Sequence, residues 1–367
     1  MKKEPKYIMI KNQIMSWILE GRIVPGEKIN SENELVKIFS ASRYTVRQAI
    51  GELVHEGWLY REQGSGTYCA HRKNNESALK NKKTIGVITT YLSDYIFPSI
   101  IRGIESYLTE KGYALVLAST NNDTNLEEKC LQNMIDRKVD GLIVEPTKSS
   151  NSNPNIHYYL NLEKIGIPYL MINQFYSEIT PPRMLLDDEL GEFLATEHLI
   201  KLHHKKIMGI FKNDDYQGIN RMKGFLKAFR TYELPFLPEF LLTYTTETAD
   251  AMMKDKVIQI LRSPNRPTAI VCYNDEIAMK ILDITRQLNL HVPNDLSIVG
   301  FDDSHLAETS DVKLTSIKHP KMQMGIDAAK WIVARVEHKK GRETEDIKVY
   351  KPELIVRTST KSLNKED

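Results

Sequence analysis

The chain has 367 residues, of which 41% are hydrophobic and 27% charged, as is ordinary for a soluble globular protein of two or three domains. Its three cysteines are far apart, which argues against a disulfide framework or a zinc site. No run approaches the roughly 20 apolar residues of a membrane span, and the N-terminus lacks the apolar stretch of a signal peptide. We therefore expect a cytoplasmic protein without membrane contact, metal or cofactor.

The net charge of +2 does not by itself indicate a polyanionic partner, but the charge is unevenly distributed. Residues 1–73 hold 12 Lys and Arg against 8 Asp and Glu, so the remainder of the chain is slightly acidic. An excess of positive charge at one end of a chain is a weak indication of a surface that contacts nucleic acid.

Three helices are predicted in the first 60 residues. Ile10 and Ile14 recur at helical spacing in the first helix. Ser31 and Glu34 form the pattern of a capping box at the start of the second helix. Ser42 is the predicted N-cap of the third, whose apolar stripe faces away from its polar side chains.

After the third helix, the apolar residues no longer recur at helical spacing. The sequence there predicts a β-hairpin, with WLY and TYC as strands and QGSG as the turn. Three helices followed by a hairpin form a winged helix-turn-helix, in which the first turn of the third helix enters the DNA major groove. That turn carries Arg43, Thr45 and Arg47, which suit phosphate and base contacts. The alternative is that the arginines only solvate a surface helix. However, the capping box, the turn, the arginines and the glycine-containing wing follow one another in the order that a winged helix-turn-helix requires, which favours DNA binding.

This N-terminal segment resembles the GntR-type winged-helix domain. The resemblance rests on PGEKINSENELVKIFSASRYTVRQAIGELVHEGWL and QGSGTY, and it covers residues 5–70. It implies a DNA-binding domain at 1–70, with the helix-turn-helix at about 30–50. The DNA contacts that it implies are Lys6, Glu32, Arg43, Tyr44, Thr45, Arg47, Gln63 and Gly64.

A polar linker is predicted at 71–83, and after it apolar strands alternate with amphipathic helices up to about residue 359. This alternation predicts an α/β fold with doubly wound parallel sheets. The segment 84–359 is too long for one compact sheet, so we expect two lobes with a ligand cleft at the carboxyl ends of their strands. Residues 360–367 are expected to form a polar tail.

No enzyme motif is evident in this part of the chain: it has no G-x-S-x-G elbow, metal-ligand cluster or phosphate-cradling loop. The adjacent His203 and His204 are more consistent with a solvated helix end than with a metal site. We therefore expect a binding protein and not an enzyme.

Residues 83–359 resemble the effector domain of the LacI/GalR repressors, which is similar to periplasmic sugar-binding proteins. The resemblance is carried by KTIGVITT, DGLIVEP and PTAIVCYNDEIAMKILDITRQLNLHVPNDLSIVGFDDSHLAE. A GntR-type domain joined to such an effector domain resembles the arabinose-responsive repressors of Gram-positive bacteria. That resemblance implies a homodimer on a palindromic operator of double-stranded DNA, released when L-arabinose binds.

A pentose presents hydroxyl groups all round and a small apolar face, so its site needs paired donors and acceptors and an aromatic ring. By position in the family pattern, Arg221 and Asp275 are expected as the central charged pair. The remaining effector-site candidates are Tyr95, Phe97, Glu145, Asn173 and His305, followed by Tyr91, Asp94 and Tyr244. The aromatic side chains could instead be core residues, and Asp275 could be a helix N-cap.

Two other functions remain open at this point. The chain could be a sugar-binding or sugar-modifying protein whose first domain only mediates assembly, although such a module would not need an arginine-led helix and wing. It could also be a repressor that responds to another sugar or small metabolite, such as a purine. That alternative differs only in the residues of the cleft.

Overall fold

The computed structural model describes residues 5–62, 64–70, 83–92, 95–337 and 346–363. The chain divides into two compact units, Met1–Lys82 and Lys83–Asp367. The predicted linker, apart from Lys83, and the candidate residues Gln63 and Asp94 lie outside the described residues. None of the helices in the described ranges is long and apolar enough to cross a membrane.

The first unit is a winged helix-turn-helix, as the sequence predicts. Its elements are α1 (Lys6–Leu19), α2 (Glu32–Phe39), α3 (Arg43–His55), β1 (Leu59–Glu62) and β2 (Gly66–Cys69). The two strands form an antiparallel hairpin. The core contains Ile10, Ile14, Leu35, Ile50 and Leu53 from the three helices.

Both predicted helix starts are confirmed. The Ser31 backbone N–H donates to the Glu34 carboxylate at 2.7 Å, and the Glu34 backbone N–H donates to the Ser31 hydroxyl at 3.3 Å, which completes the capping box. The Thr45 backbone N–H donates to the Ser42 hydroxyl at 3.2 Å. These caps fix where α2 and α3 begin, and so place the polar first turn of α3 at the surface.

The second unit contains two lobes, each built on a six-stranded sheet. The elements of the first lobe are β3 (Thr84–Thr89), α4 (Phe97–Glu110), β4 (Ala114–Ser119), α5 (Thr124–Asp136), β5 (Gly141–Val144), α6 (Ile156–Ile165), β6 (Tyr169–Ile172) and β7 (Arg183–Leu186). Those of the second lobe are α7 (Asp188–Lys201), β8 (Ile207–Lys212), α8 (Tyr216–Thr231), β9 (Leu241–Tyr244), α9 (Ala249–Met252), α10 (Ile258–Arg262), β10 (Ala269–Cys272), α11 (Asp275–Gln287), β11 (Ser297–Asp302), α12 (His305–Thr309) and β12 (Thr315–Lys318). The chain then returns to the first lobe with α13 (Lys321–Val336) and β13 (Ile347–Tyr350), and ends in the second with β14 (Glu353–Ile355).

The strand order is β13-β7-β6-β5-β3-β4 in the first lobe and β14-β12-β11-β10-β8-β9 in the second. All pairs are parallel except β12–β14. The chain therefore crosses between the lobes three times, after β7, after β12 and after β13. This confirms the predicted α/β class with two doubly wound lobes.

Helices α4 and α13 pack at very close range because glycines face each other's backbone. A Cβ added to Gly103 would lie 2.3 Å from the Met322 carbonyl oxygen, and one added to Gly325 would lie 2.2 Å from that of Ile100. Both distances are far inside van der Waals contact, so glycine is required at both positions. Since α13 follows a crossing and α4 follows β3, this packing anchors the returning chain on the first lobe.

The expectation for the histidine pair is wrong for His204. His203 is exposed, but His204 is buried, and its ring nitrogens lie 2.9 Å from the Thr268 hydroxyl and 3.1 Å from the Lys361 carbonyl oxygen. Burial lowers the pKa of His204 to about 4. His204 thus anchors the segment after β14, whose Leu363 N–H also donates to the Leu202 carbonyl at 2.9 Å.

Candidate functional site

The first turn of α3 presents polar side chains at the surface of the first unit. The side chains of Arg43 and Arg47 are 64% and 58% exposed, and Tyr44 is also exposed. The Thr45 hydroxyl lies 2.7 Å from the Ser42 hydroxyl that caps the helix. Four of the residues expected to contact DNA therefore lie together on one turn.

Glu32, at the start of α2, contacts both arginines. Arg47 Nη2 lies 2.9 Å from Glu32 Oε2, and Arg43 Nε lies 3.6 Å from the same oxygen. The hydrogen bond from Arg47 lowers the pKa of the Glu32 carboxyl group. Exposed ion pairs of this kind are weak, so Glu32 can hold the two guanidinium groups side by side and release them to an anionic partner.

Lys6 and Gly64 are the other described candidates of the first unit. Lys6 Nζ donates to the Ser40 carbonyl oxygen at 2.7 Å, in the turn between α2 and α3. Gly64 lies at the tip of the hairpin with φ +78°, a conformation that favours glycine. The sequence analysis missed Lys28 and Arg61, which line a shallow groove between the hairpin and the start of α2.

A cavity of about 330 Å³ lies in the second unit, where the carboxyl ends of both sheets meet. This volume is typical of small-ligand sites. The lining residues named by the sequence analysis are Tyr91, Tyr95, Phe97, Glu145 and Tyr244. Those that it missed include Thr90, Asn122, Gln174, Lys212, Asp215, Tyr273, Asn274, Glu276 and Asp302.

Arg221 lies in the wall beside this cavity and is 1% exposed. Its guanidinium group donates to Asp188 at 2.8 Å, to Asp302 at 3.1 Å and to the Tyr273 carbonyl oxygen at 2.5 Å. It also stacks 3.6 Å from the centroid of the Phe301 ring. Arg221 thus joins α8, α7 and the ends of β10 and β11.

The expected pairing of Arg221 with Asp275 is not what the structure contains. The Asp275 carboxylate accepts hydrogen bonds from the Ser304 N–H at 2.7 Å and from the hydroxyl groups of Ser304 and Ser316 at 2.8 and 2.7 Å. Burial raises the pKa of Asp275 to about 7. The N-cap of α11 is Asn274, so the alternative of Asp275 as the cap is also wrong. Asp275 fixes the loop after β11, and Asp302, the last residue of β11, lines the cavity.

Tyr95 connects the two lobes at the cavity. Its hydroxyl oxygen lies 2.7 Å from the Asp302 carboxylate and 2.8 Å from the Phe301 carbonyl oxygen, and it accepts a hydrogen bond from the Asp275 N–H at 3.1 Å. Burial, together with the charge of Asp302, raises the pKa of Tyr95 well above its usual range, so the hydroxyl group keeps its proton.

Glu145 directly follows β5 and is buried at the cavity, as expected from its place in the sequence. Its carboxylate accepts hydrogen bonds from the Thr90 N–H at 3.0 Å, the Thr90 hydroxyl at 2.6 Å and the Asn173 amide at 2.8 Å. Burial raises the pKa of Glu145. Asn173 is not among the residues that line the cavity; its Oδ1 lies 3.0 Å from Nε2 of His319, which stands at the crossing after β12. His305 is exposed and is also absent from the lining.

Lys212 ends β8 and brings a positive charge to the cavity. Its ammonium group lies 3.1 Å from Asp215 and 3.3 Å from Asp214. Burial alone would lower the pKa of Lys212, but the two carboxylates outweigh burial and raise it, so the side chain stays charged. A lysine at the end of the apolar strand IMGIFK is the sequence signal that could have identified it.

The charges around the cavity select against an anionic ligand. Carboxylates of Glu145, Asp215, Glu276 and Asp302 line it, against the ammonium groups of Lys212 and Lys280. Lys280 is also paired with Asp250. An excess of carboxylates repels a phosphate or carboxylate, whereas the hydroxyl groups of an uncharged polyol can both donate to acids and accept from lysine. The rings of Tyr91 and Phe97 supply an apolar face.

Replacing Arg221 with Met should cost about 3–5 kcal/mol of unfolding free energy, because Asp188 and Asp302 lose their buried counter-charge. The loss should be larger at pH 8 than at pH 5.5. Burial already raises the pKa of Asp188 to about 7, and removal of the guanidinium raises it further. At this group the two folded proteins differ in protonation only above about pH 7, so the loss of stability caused by the substitution grows above that pH. Urea denaturation of the wild type and the variant at both pH values measures the two losses of unfolding free energy. Equal losses at pH 5.5 and pH 8 would contradict the role of Arg221 as the counter-charge of Asp188.

Comparison with known proteins agrees with both units. Residues 6–69 match the family described as bacterial regulatory proteins, gntR family, and residues 196–360 match the periplasmic binding protein-like domain. Among solved structures, a LacI family transcriptional regulator from Enterococcus faecium with bound ribose aligns with a TM-score of 0.64 at 26% identity. That alignment covers 77% of this chain and 100% of the other.

Two relatives match along nearly the entire chain. The arabinose metabolism transcriptional repressor of Halalkalibacterium halodurans is 50% identical over 369 residues, which is 99% of this chain and 98% of that protein. The protein of the same name from Geobacillus stearothermophilus is 50% identical over 361 residues, 98% of each chain. Such a repressor is a regulator and not an enzyme. The chain belongs to the family of arabinose metabolism transcriptional repressors, in which a GntR-type winged helix is joined to a LacI-like effector domain.

Proposed function

We propose that this repressor binds a palindromic operator as a homodimer and is released when L-arabinose enters the cavity of the second unit. The DNA contacts are Lys6, Glu32, Arg43, Tyr44, Thr45, Arg47, Gln63 and Gly64. The effector-binding residues are Tyr95, Phe97 and Glu145 from the sequence analysis, extended by Lys212, Asp215 and Asp302, while Arg221 and Asp275 hold the wall behind them. A dimer suits a palindromic operator because two-fold symmetry in the protein matches two-fold symmetry in the DNA.

The observation that supports a sugar most strongly is a cavity of about 330 Å³ whose lining combines aromatic rings with polar side chains, among which carboxylates outnumber ammonium groups. A neutral pentose can satisfy these groups and place an apolar face against Phe97. The names of the two 50% identical relatives point to L-arabinose within this class.

A purine, the other class considered from the sequence, fits the cavity less well. Flat bases are typically held by stacking on a ring face. The planes of Tyr91 and Phe97 are tilted by 56°, and those of Tyr244 and Tyr273 by 89°, so neither pair offers parallel faces that could enclose a base. A different sugar of similar size remains the alternative, and it is an outcome of the titration described next.

Titration calorimetry of the full-length protein tests the effector assignment. The panel consists of L-arabinose, D-arabinose, D-ribose, adenine and the anion L-arabinonate. L-Arabinose should bind most tightly, and L-arabinonate at least about tenfold more weakly, because its carboxylate meets the acidic lining. Tightest binding of D-ribose would reassign the sugar, and tightest binding of adenine or of the anion would contradict a neutral-sugar site.

Arg47→Ala should weaken operator binding on the order of 10- to 100-fold if Arg47 contacts a base, and should reduce the salt dependence if it contacts a phosphate. Arg43→Ala should act in the same direction. The matched control is Arg22→Ala, another exposed arginine of the first unit, paired with Glu20. Fluorescence anisotropy with a palindromic duplex, selected by the wild-type protein from a random library, measures the affinities. Wild-type affinity of both variants would contradict the proposed DNA contacts.

A further inference from the structure

Several hydrogen bonds hold the two lobes together beside the cavity, in addition to the contact made by Tyr95. The loop after β4 supplies Asn122, and the loop after β5 supplies Lys148. From the second lobe, the loop after β9 supplies Thr246 and Glu247. Asn122 Nδ2 donates to the Thr246 hydroxyl at 2.7 Å, and Lys148 pairs with Glu247.

The orientation of the Asn122 amide is fixed by its neighbours. The side chain is buried, and its Oδ1 accepts a hydrogen bond from the Lys148 backbone N–H at 3.0 Å. A backbone N–H can only donate, so the oxygen must face Lys148 and the NH₂ group must face Thr246. The Asn122 side chain therefore presents its NH₂ group, a donor, to Thr246.

The contacts continue from Thr246, which itself lines the cavity, towards Lys212. The Thr246 hydroxyl donates to Asp214 Oδ2 at 2.7 Å, and the Thr246 N–H donates to the same oxygen at 2.8 Å. The other oxygen of Asp214 lies 3.3 Å from Lys212 Nζ. Since a hydroxyl group has one proton, Thr246 can accept from Asn122 while it donates to Asp214. This last link is an ion pair, since Asp214 Oδ1 accepts no hydrogen bond from the described residues. With the lobes placed as they are, these contacts connect the first lobe to the lysine on the cavity.

We propose that Asn122 is a positioning residue for effector binding: through Thr246 and Asp214 its amide orients the Lys212 ammonium group when the lobes close. This inference rests on the proposed function, because it takes an uncharged polyol as the ligand that Lys212 contacts. The ligand thereby binds to a cavity whose lysine is already held in place, and ordering that side chain beforehand increases affinity.

Asn122→Asp isolates this role. Aspartate keeps the oxygen that accepts from Lys148 and tolerates the left-handed backbone at this position, φ +55°. It removes the donor to Thr246 and adds a negative charge on the side of Asp214. The matched control is Asn121→Asp, since Asn121 is exposed, also has a positive φ and uses its Oδ1 to accept from the Ser119 hydroxyl.

Titration calorimetry with L-arabinose should show at least about tenfold weaker binding for Asn122→Asp, in a protein that still unfolds cooperatively and still binds operator. Asn121→Asp should bind the sugar as the wild type does. Equal sugar affinities of the two variants would overturn the proposal.

Variants of Thr246 keep the test decisive if Asn122→Asp folds poorly. Thr246→Val removes the hydroxyl group and should weaken sugar binding, whereas Thr246→Ser keeps the hydroxyl group and should restore it. In the double variant Asn122→Asp/Thr246→Val, the second change should add little, because both break the same series of contacts. Fully additive losses of sugar affinity in the double variant, or equal affinities of the Val and Ser variants, would contradict the proposed series of contacts from Asn122 through Thr246 and Asp214 to Lys212.

A measurement of lobe closure does not require that the ligand be identified. Spin labels at Asn133→Cys in the first lobe and Gln287→Cys in the second, both exposed positions, report the distance between the lobes; the native cysteines are buried. In ligand-free protein, Asn122→Asp should shift the distance distribution to longer values than Asn121→Asp does. If the wild type binds no sugar but this shift occurs, the proposed effector is wrong and the role of Asn122 in closure stands. If the wild type binds sugar and no shift or affinity change occurs, the inference fails and the proposed function stands.

Discussion

The guanidinium group of Arg221 is buried where four elements of the second lobe meet, and the geometry of the cavity depends on it. It neutralises Asp188 and Asp302, which lie on α7 and at the end of β11. It also fixes the chain after β10 through the Tyr273 carbonyl oxygen. A charge this deep is tolerated only when its partners are fully engaged, so the loops that carry those partners have little freedom. These contacts hold the wall of the cavity in place.

Asp302 connects Arg221 to the first lobe. One of its carboxylate oxygens contacts Arg221, and the other lies within hydrogen-bond distance of Tyr95, which belongs to the first lobe. The same aspartate lines the cavity. A ligand that contacts Asp302 therefore acts on a group that already links both lobes. In the proposed function, effector binding and lobe closure would share this residue, which would give a sensor that responds by a change of shape a physical basis.

Local patterns made much of the structure predictable. Ser31, Glu34 and Ser42 cap helices through contacts with residues three positions away, so the sequence predicted these helix starts correctly. Glu145 was predicted to lie at the cleft because it follows the buried parallel strand β5. The partners of Arg221 could not be predicted, because Asp188 and Asp302 lie 33 and 81 positions away and the motif FDDS does not reveal which aspartate is buried. Edge strands such as β13, with alternating exposed side chains, gave no continuous apolar run and were missed for that reason.

Titration of L-arabinose into the protein, with and without saturating operator duplex, tests most directly whether the cavity and the DNA-binding face act as one regulator. Linkage requires that operator weaken sugar binding by the same factor by which sugar weakens operator binding. For a sugar-released repressor, the affinity for L-arabinose should fall on the order of 5- to 150-fold when operator is bound, the usual range for coupled sites. Equal affinities in the two titrations would contradict the coupling of sugar binding to DNA release.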